Sequence, residues 1–241
     1  MSAIFKKEFR SWFLSPMGYI ILCVFGALSG VSYLFYVVSS DLTAYFNGLI
    51  MFVALVVAIL SMKTFSEERK TKTEQLLLTS PVSLFEIVMG KFLAAFAVYC
   101  LCLAETLLVV FVVGFLGEPD VGVILTSYLG YLLLGASLIA IGTFFSSLTQ
   151  NQIVSAVITL LTFIALMLSS SIISMIVSTI TAINTFWRTV ITAIIYVVPI
   201  FERYYEFAYG LVNISTVFYY LSVTAVFLFL TMRVLEKRRW A

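Results

Sequence analysis

Positive charge occurs at only a few places in this chain, and those places constrain the fold more than any other feature. Of 14 Lys and Arg residues, 12 fall in three groups, at 6–10, 63–91 and 233–239, and only Arg188 and Arg203 lie elsewhere. Between the groups run apolar stretches long enough to cross a bilayer, for which a helix needs about 20 residues. The basic groups recur where an even number of crossings returns the chain to the same face. Loops rich in Lys and Arg stay cytoplasmic. The spacing therefore predicts an all-α integral membrane protein with six transmembrane helices and both termini inside.

The composition fits that reading. Charged residues make up 11% and hydrophobic residues 62%, whereas a soluble domain carries about 25% charged residues. Six spans consume most of the 241 residues, so the chain reads as one transmembrane domain over 1–241. The spans are expected near 19–38, 46–65, 87–116, 121–148, 153–177 and 214–235. There is no His, which removes the commonest general base and metal ligand. Cys23, Cys100 and Cys102 lie in apolar runs without metal-ligand spacing and read as small packing residues. No metal and no cofactor are expected in this chain. The first apolar run is too long for a cleavable signal.

Residues 1–15 form an amphipathic segment. At about 100° per residue, Ile4, Phe5, Phe9, Trp12 and Phe13 share one half of the wheel, and Lys6, Lys7 and Arg10 the other. Such a helix lies in the interface, aromatics toward the acyl boundary and cations toward headgroups. Pro16 and Gly18 are expected to separate it from span one. Glu8 falls on the apolar half, where it either snorkels or meets a protein partner.

The loop after span two, 66–86, is densely charged through Glu67, Glu68, Arg69, Lys70 and Glu74, then abruptly apolar at Leu76, Leu77 and Leu78. A short helix over 73–78 would turn its leucines toward headgroups or toward a docked soluble partner. Ser83 and Glu86 then form a capping box that starts the next helix at Leu84.

Within the spans, four features stand out. Gly26-x-x-x-Gly30 permits close helix approach, inside the chain or between copies. Glu105 stands alone in span three, where a carboxylate costs about 2.5–3.5 kcal/mol on insertion scales; it is either a protonated structural group or a contact for substrate. Ser155, Thr159, Thr162, Ser170, Ser174 and Ser178 fall on one stripe of span five, as a packing face, a pathway wall or a subunit contact. Residues 179–213 mix aromatics and charges as an extracytoplasmic interfacial segment does, and Glu202 and Glu206 flank Arg203 there as a cation site or a solvated rim.

Three segments in the middle of the chain, Phe65-Ser-Glu-Glu-Arg-Lys, Glu74-Gln-Leu-Leu-Leu-Thr-Ser-Pro-Val-Ser and Ile87-Val-Met-Gly-Lys-Phe, resemble the cytoplasmic segment of ABC-2-type transporter permeases. The likeness is greatest to the gliding-motility-type and nitrous-oxide-maturation-type permease subunits. Phe5-Lys-Lys-Glu-Phe-Arg with Ser15-Pro-Met-Gly-Tyr, and Gly210-Leu-Val-Asn through Glu236-Lys-Arg-Arg-Trp, extend it over the whole chain in order.

The resemblance implies a type V exporter-like fold, with 1–15 as a connecting helix and a coupling helix within 67–80 that docks on an ATPase. It also implies short helices before the last span that dip into the outer leaflet. The expected partners are a cytoplasmic ABC ATPase dimer binding ATP and Mg, a second permease subunit, the lipid bilayer and an extracytoplasmic-domain protein, but no nucleic acid. The expected location is the bacterial inner membrane. Family members often carry Gly-Thr-Leu-Glu where this chain reads Lys72-Thr-Glu-Gln. The chain lacks Gly-x-x-x-x-Gly-Lys-[Ser/Thr], so ATP hydrolysis is expected in another polypeptide. A membrane anchor that passes mechanical work to an extracytoplasmic partner, moving no solute, is the alternative.

Overall fold

The computed structural model describes residues 1–36, 42–71, 73, 75, 82–116, 120–180 and 199–239. The described residues form helices joined by short turns, with no strand among them, as a bilayer requires of a chain that must satisfy its backbone polar groups internally. In chain order the elements are α1 (Ser2–Leu14), α2 (Pro16–Tyr36), α3 (Leu42–Thr64), α4 (Ser66–Lys70), α5 (Leu84–Leu116), α6 (Val121–Leu148), α7 (Gln152–Ile180), α8 (Glu202–Ala208) and α9 (Ile214–Arg239). Six of them, α2, α3, α5, α6, α7 and α9, are long and apolar enough to cross a membrane.

Span ends follow local capping chemistry. Asp120 accepts from the Gly122 amide at 2.8 Å and starts α6. Asn151 accepts from Ile153 at 3.0 Å and starts α7 after a three-residue turn. The Glu86 amide donates to Ser83 Oγ at 3.2 Å, and α5 begins at Leu84. One boundary differs from expectation. Pro16 does not stand outside span one but is its first residue, because proline suits the first helical turn, where its missing N–H would have no partner. The break falls instead at Ser15, which is extended (φ −96°, ψ 151°). Gly18 lies inside α2, where a Cβ would come within 2.6 Å of the Trp12 carbonyl oxygen.

Spans two and four form the centre. Helices α3 and α6 are the most buried of the six, and α7 and α9 the least. Helix α6 receives its neighbours at three glycines. A Cβ at Gly142 would sit 2.3 Å from Ser61 of α3, one at Gly135 2.0 Å from the Tyr99 ring of α5, and one at Gly130 2.7 Å from Phe207 of α8. Small residues let helices approach closely where apolar burial gives no net drive between them. Tyr99 then donates to the Tyr131 carbonyl at 2.9 Å, and Tyr131 donates to the Phe46 carbonyl. Among the described residues the Gly26-x-x-x-Gly30 motif has no comparable role: Glu105 alone approaches Gly26, and none of them lies within 4 Å of a Cβ at Gly30.

Candidate functional site

The chemistry concentrates at the end of the bundle that holds both termini, where α1, α4 and the first turns of α5 meet. Its centre is Lys91, which is 2% exposed. The Gly90–Lys91 step is a close approach: a Cβ at Gly90 would come within 2.9 Å of Ile4. Helix α1 therefore lies directly against the start of span three.

The Lys91 ammonium donates to the Thr64 carbonyl at the end of α3, 2.8 Å away. It lies 2.9 Å from Glu68 of α4 and 3.2 Å from Glu8 of α1, and 5.2 Å from the centroid of the Phe65 ring. Lys7 lies 3.7 Å from each of the same two carboxylates. Two cations thus balance two anions, and one cation is wholly buried. Taking an ammonium out of water costs several kcal/mol unless charge and hydrogen bonds compensate; here three oxygens from three elements do so. Glu8 is therefore in an ion pair inside its own chain, neither snorkelling nor turned outward.

A second set of contacts holds α4 to the end of span four. The break between α3 and α4 leaves helix-start amides without local partners. Ser146 of α6 supplies one, its Oγ accepting from the amides of Phe65 and Ser66 at 3.1 Å each. Ser66 Oγ donates to the Ser146 carbonyl at 3.1 Å, and Arg69 to the Leu148 carbonyl at 3.0 Å. Arg238, near the end of α9, donates to the Ser147 carbonyl. Two guanidinium groups on the last carbonyls of α6 complement its dipole. Lys63 completes the junction, bonded to Ser15 Oγ at 3.2 Å and lying 4.7 Å from the Trp12 ring centroid.

Trp12 differs from expectation. It is 3% exposed and packs into the bundle under Lys63, while Phe5, Phe9 and Phe13 run along one side of α1 with ring centroids 5.8 and 5.2 Å apart. Glu67 lies 3.9 Å from Lys63, and Lys70 ends α4. Glu74, Leu76, Leu77 and Leu78 lie outside the described residues. So does most of the short helix expected over 73–78.

The membrane-embedded candidates are dispersed. Glu105 faces Gly26 of α2, and its Oε2 is buried without a hydrogen-bond partner among the described residues. Ser155 and Thr159 are buried, and Thr159 meets the Gly142 contact between α3 and α6. Thr162 bonds back to the Ile158 carbonyl at 2.8 Å. The side chains of Ser170 and Ser174 lie outside the described residues. At the opposite end, Glu206 accepts from Thr216 at 2.7 Å and Arg203 covers the Tyr219 ring at 4.0 Å. These groups border a cavity of about 480 Å³ with Pro199, Glu202 and Asn213. No group of three His, Cys, Asp or Glu residues that could hold a metal occurs among the described residues.

Sequence reasoning did not find the partners of Lys91 or the capping role of Ser146. A lysine about two turns inside an apolar helix was a usable signal for the first, since such a charge must be paired. The second had none, because the serine lies 80 residues from the amides it caps.

Comparison with known proteins supplies the remaining piece. No curated protein matches the chain. The sequence model of a family described as ABC-2 family transporter protein matches residues 27–240, which takes in all of the six spans except the first half of α2. The chain belongs to the ABC-2 family of transporter proteins.

Proposed function

We propose that this chain is the permease subunit that converts ATP hydrolysis by a separate ABC ATPase dimer into movement of its own spans, paired with a second permease in a bacterial inner membrane. In this reading the end holding α1, α4 and both termini is cytoplasmic. The stretch that follows α4 docks on the ATPase, where ATP and Mg bind. The sequence likeness to gliding-motility-type and nitrous-oxide-maturation-type permeases favours that subgroup.

The observation that carries the proposal is the Lys91 junction. A push on α4 moves Glu68, which lies 2.9 Å from an ammonium rooted in span three. Charge-assisted hydrogen bonds hold at about 2.7–2.9 Å, and leaving a buried charge unpaired costs about 3–5 kcal/mol. Span three therefore follows α4. Glu8 couples α1 to the same atom, so the connecting helix moves with it.

The test uses the full permease with its ATPase. Replacing Leu77 with Asp should release the ATPase in co-purification while the permease stays inserted. The neutral triple variant Glu8→Gln/Glu68→Gln/Lys91→Met should keep the ATPase bound but lose permease-stimulated hydrolysis. Full stimulation in that triple variant would remove the junction from the coupling path. ATP-driven transport in liposomes separates a permease from a non-transporting anchor. Single cysteines at 72 and 120 should label from opposite sides of the membrane.

A further inference from the structure

Beside the Lys91 junction, the exposed side of α1 carries a second arrangement of charge. Lys6, Lys7 and Arg10 are exposed, while Ser11, Ser15 and Lys63 stand behind them. With Ala3, Leu14 and Glu67 they line a groove of about 760 Å³ between α1 and the α3–α4 corner. Lys63 is preset in this wall. Its side chain is 10% exposed, and its ammonium is bonded to Ser15 Oγ and the Ser11 carbonyl. Lys6 and Arg10 have no ion pair or hydrogen bond among the described residues, unlike Lys7, which lies near Glu8 and Glu68.

Two observations identify the occupant. The first is charge: four cations face one carboxylate, Glu67, and two of them are uncommitted. The second is depth. Ser15 immediately precedes the first residue of span one, and Lys63 is the penultimate residue of α3, so the groove opens where two spans leave the hydrocarbon. Leu14, 74% exposed, is two residues before the start of a span and suits the acyl boundary. Phosphates of the adjoining leaflet lie at that depth, and cations beside an anionic leaflet gain from it.

We propose that this groove binds the headgroup of an anionic phospholipid from the leaflet nearest the N-terminus. Lys6 and Arg10 are its charge partners, and Lys63 is the fixed wall behind the phosphate. A lipid held there would set the height of α1 in the interface, and through Glu8 the position of Lys91.

Native mass spectrometry of the full-length permease, offered equal phosphatidylglycerol and phosphatidylcholine, tests this. Wild type should retain phosphatidylglycerol selectively. Each of Lys6→Gln and Arg10→Gln should weaken retention about fivefold, and the pair by more than tenfold. Lys6→Arg with Arg10→Lys should retain it. Lys237→Gln with Arg239→Gln, which removes the same charge from exposed positions at the same end, should change retention less than twofold. Equal losses in the two Gln pairs would reduce the effect to diffuse attraction and overturn the proposal. Displacement of the lipid by an equal concentration of inorganic phosphate would overturn it in favour of a free-anion site. A Lys6→Gln/Arg10→Gln variant that keeps the lipid but fails to co-purify with the ATPase would assign the groove to protein contact instead.

Discussion

Of the three described helices that lie against this bundle without crossing it, the two shortest, α4 and α8, are held by different physics. At the end with the termini, α4 is held by charge and hydrogen bonds through Lys91, Ser146 and Arg69. At the other end, α8 is held mainly by shape, with the Glu206–Thr216 hydrogen bond beside it. Tyr204 and Phe207 are fully buried, the Tyr204 ring lies 4.4 Å from that of Tyr131, and Phe207 occupies the notch at Gly130. Gly210, at φ +82°, ends α8 in a conformation that L side chains rarely adopt. An aromatic wedge in a glycine notch has one good fit, and displacement forfeits dispersion contacts steeply. An ionic junction has alternatives: Lys7 stands beside both carboxylates, and Glu68 Oε2 is buried with no hydrogen-bond partner among the described residues. The shape-held end has no substitute for its contact, whereas the charge-held end has a second cation beside both carboxylates.

The contrast can be broken most directly at Lys91. Lys91→Leu removes the common partner of Glu8 and Glu68 and should cost about 3–5 kcal/mol, read as a large drop in thermal stability of the purified permease. Adding Glu8→Gln and Glu68→Gln should recover most of that loss, because the cost is an unpaired charge and not a lost shape. No recovery would mean that packing, not charge, holds this end.

At the other end the converse is expected. Gly130→Val should cost about 1–3 kcal/mol by overpacking against Phe207, and Phe207→Leu should partly rescue it, while no change of charge would. Ser146→Ala leaves the amides of Phe65 and Ser66 without their acceptor and should cost about 1–3 kcal/mol. Hydrogen exchange should localise that loss to the α3–α4 break. Exchange unchanged at both amides would show that another group had replaced the serine.

Glu105 gives the smallest expected effect. Its neighbour across the span contact is Gly26, where a Cβ would come 3.2 Å from Oε2. A structural carboxyl predicts that Glu105→Gln leaves assembly and permease-stimulated hydrolysis nearly unchanged, whereas Glu105→Leu is mildly destabilising. A Gln variant that assembles normally and is inactive would make Glu105 functional.

Much of the fold was legible because its determinants are local. Apolar length sets each span, and the ends at Leu84, Val121 and Ile214 fall where capping or turn residues place them. The Ser83–Glu86 box is read from four consecutive residues. Pro16 was misread for a local reason too: proline marks a helix start as readily as a break. The site was legible only in its parts. Glu8, Glu67, Glu68 and Arg69 were recognisable as charged residues beside spans, but not as members of one junction.

The sequence alone determined that this chain is a bundle of membrane helices, because hydrophobic length and the placement of 14 cations act through the bilayer regardless of which helix touches which. Only the tertiary structure decided which charges neutralise one another. Lys91 meets Glu8 across 83 residues and Thr64 across 27, and Ser146 reaches Ser66 across 80. Ionic and hydrogen-bond partners are chosen within about 3 Å, a distance that exists only once the helices have packed.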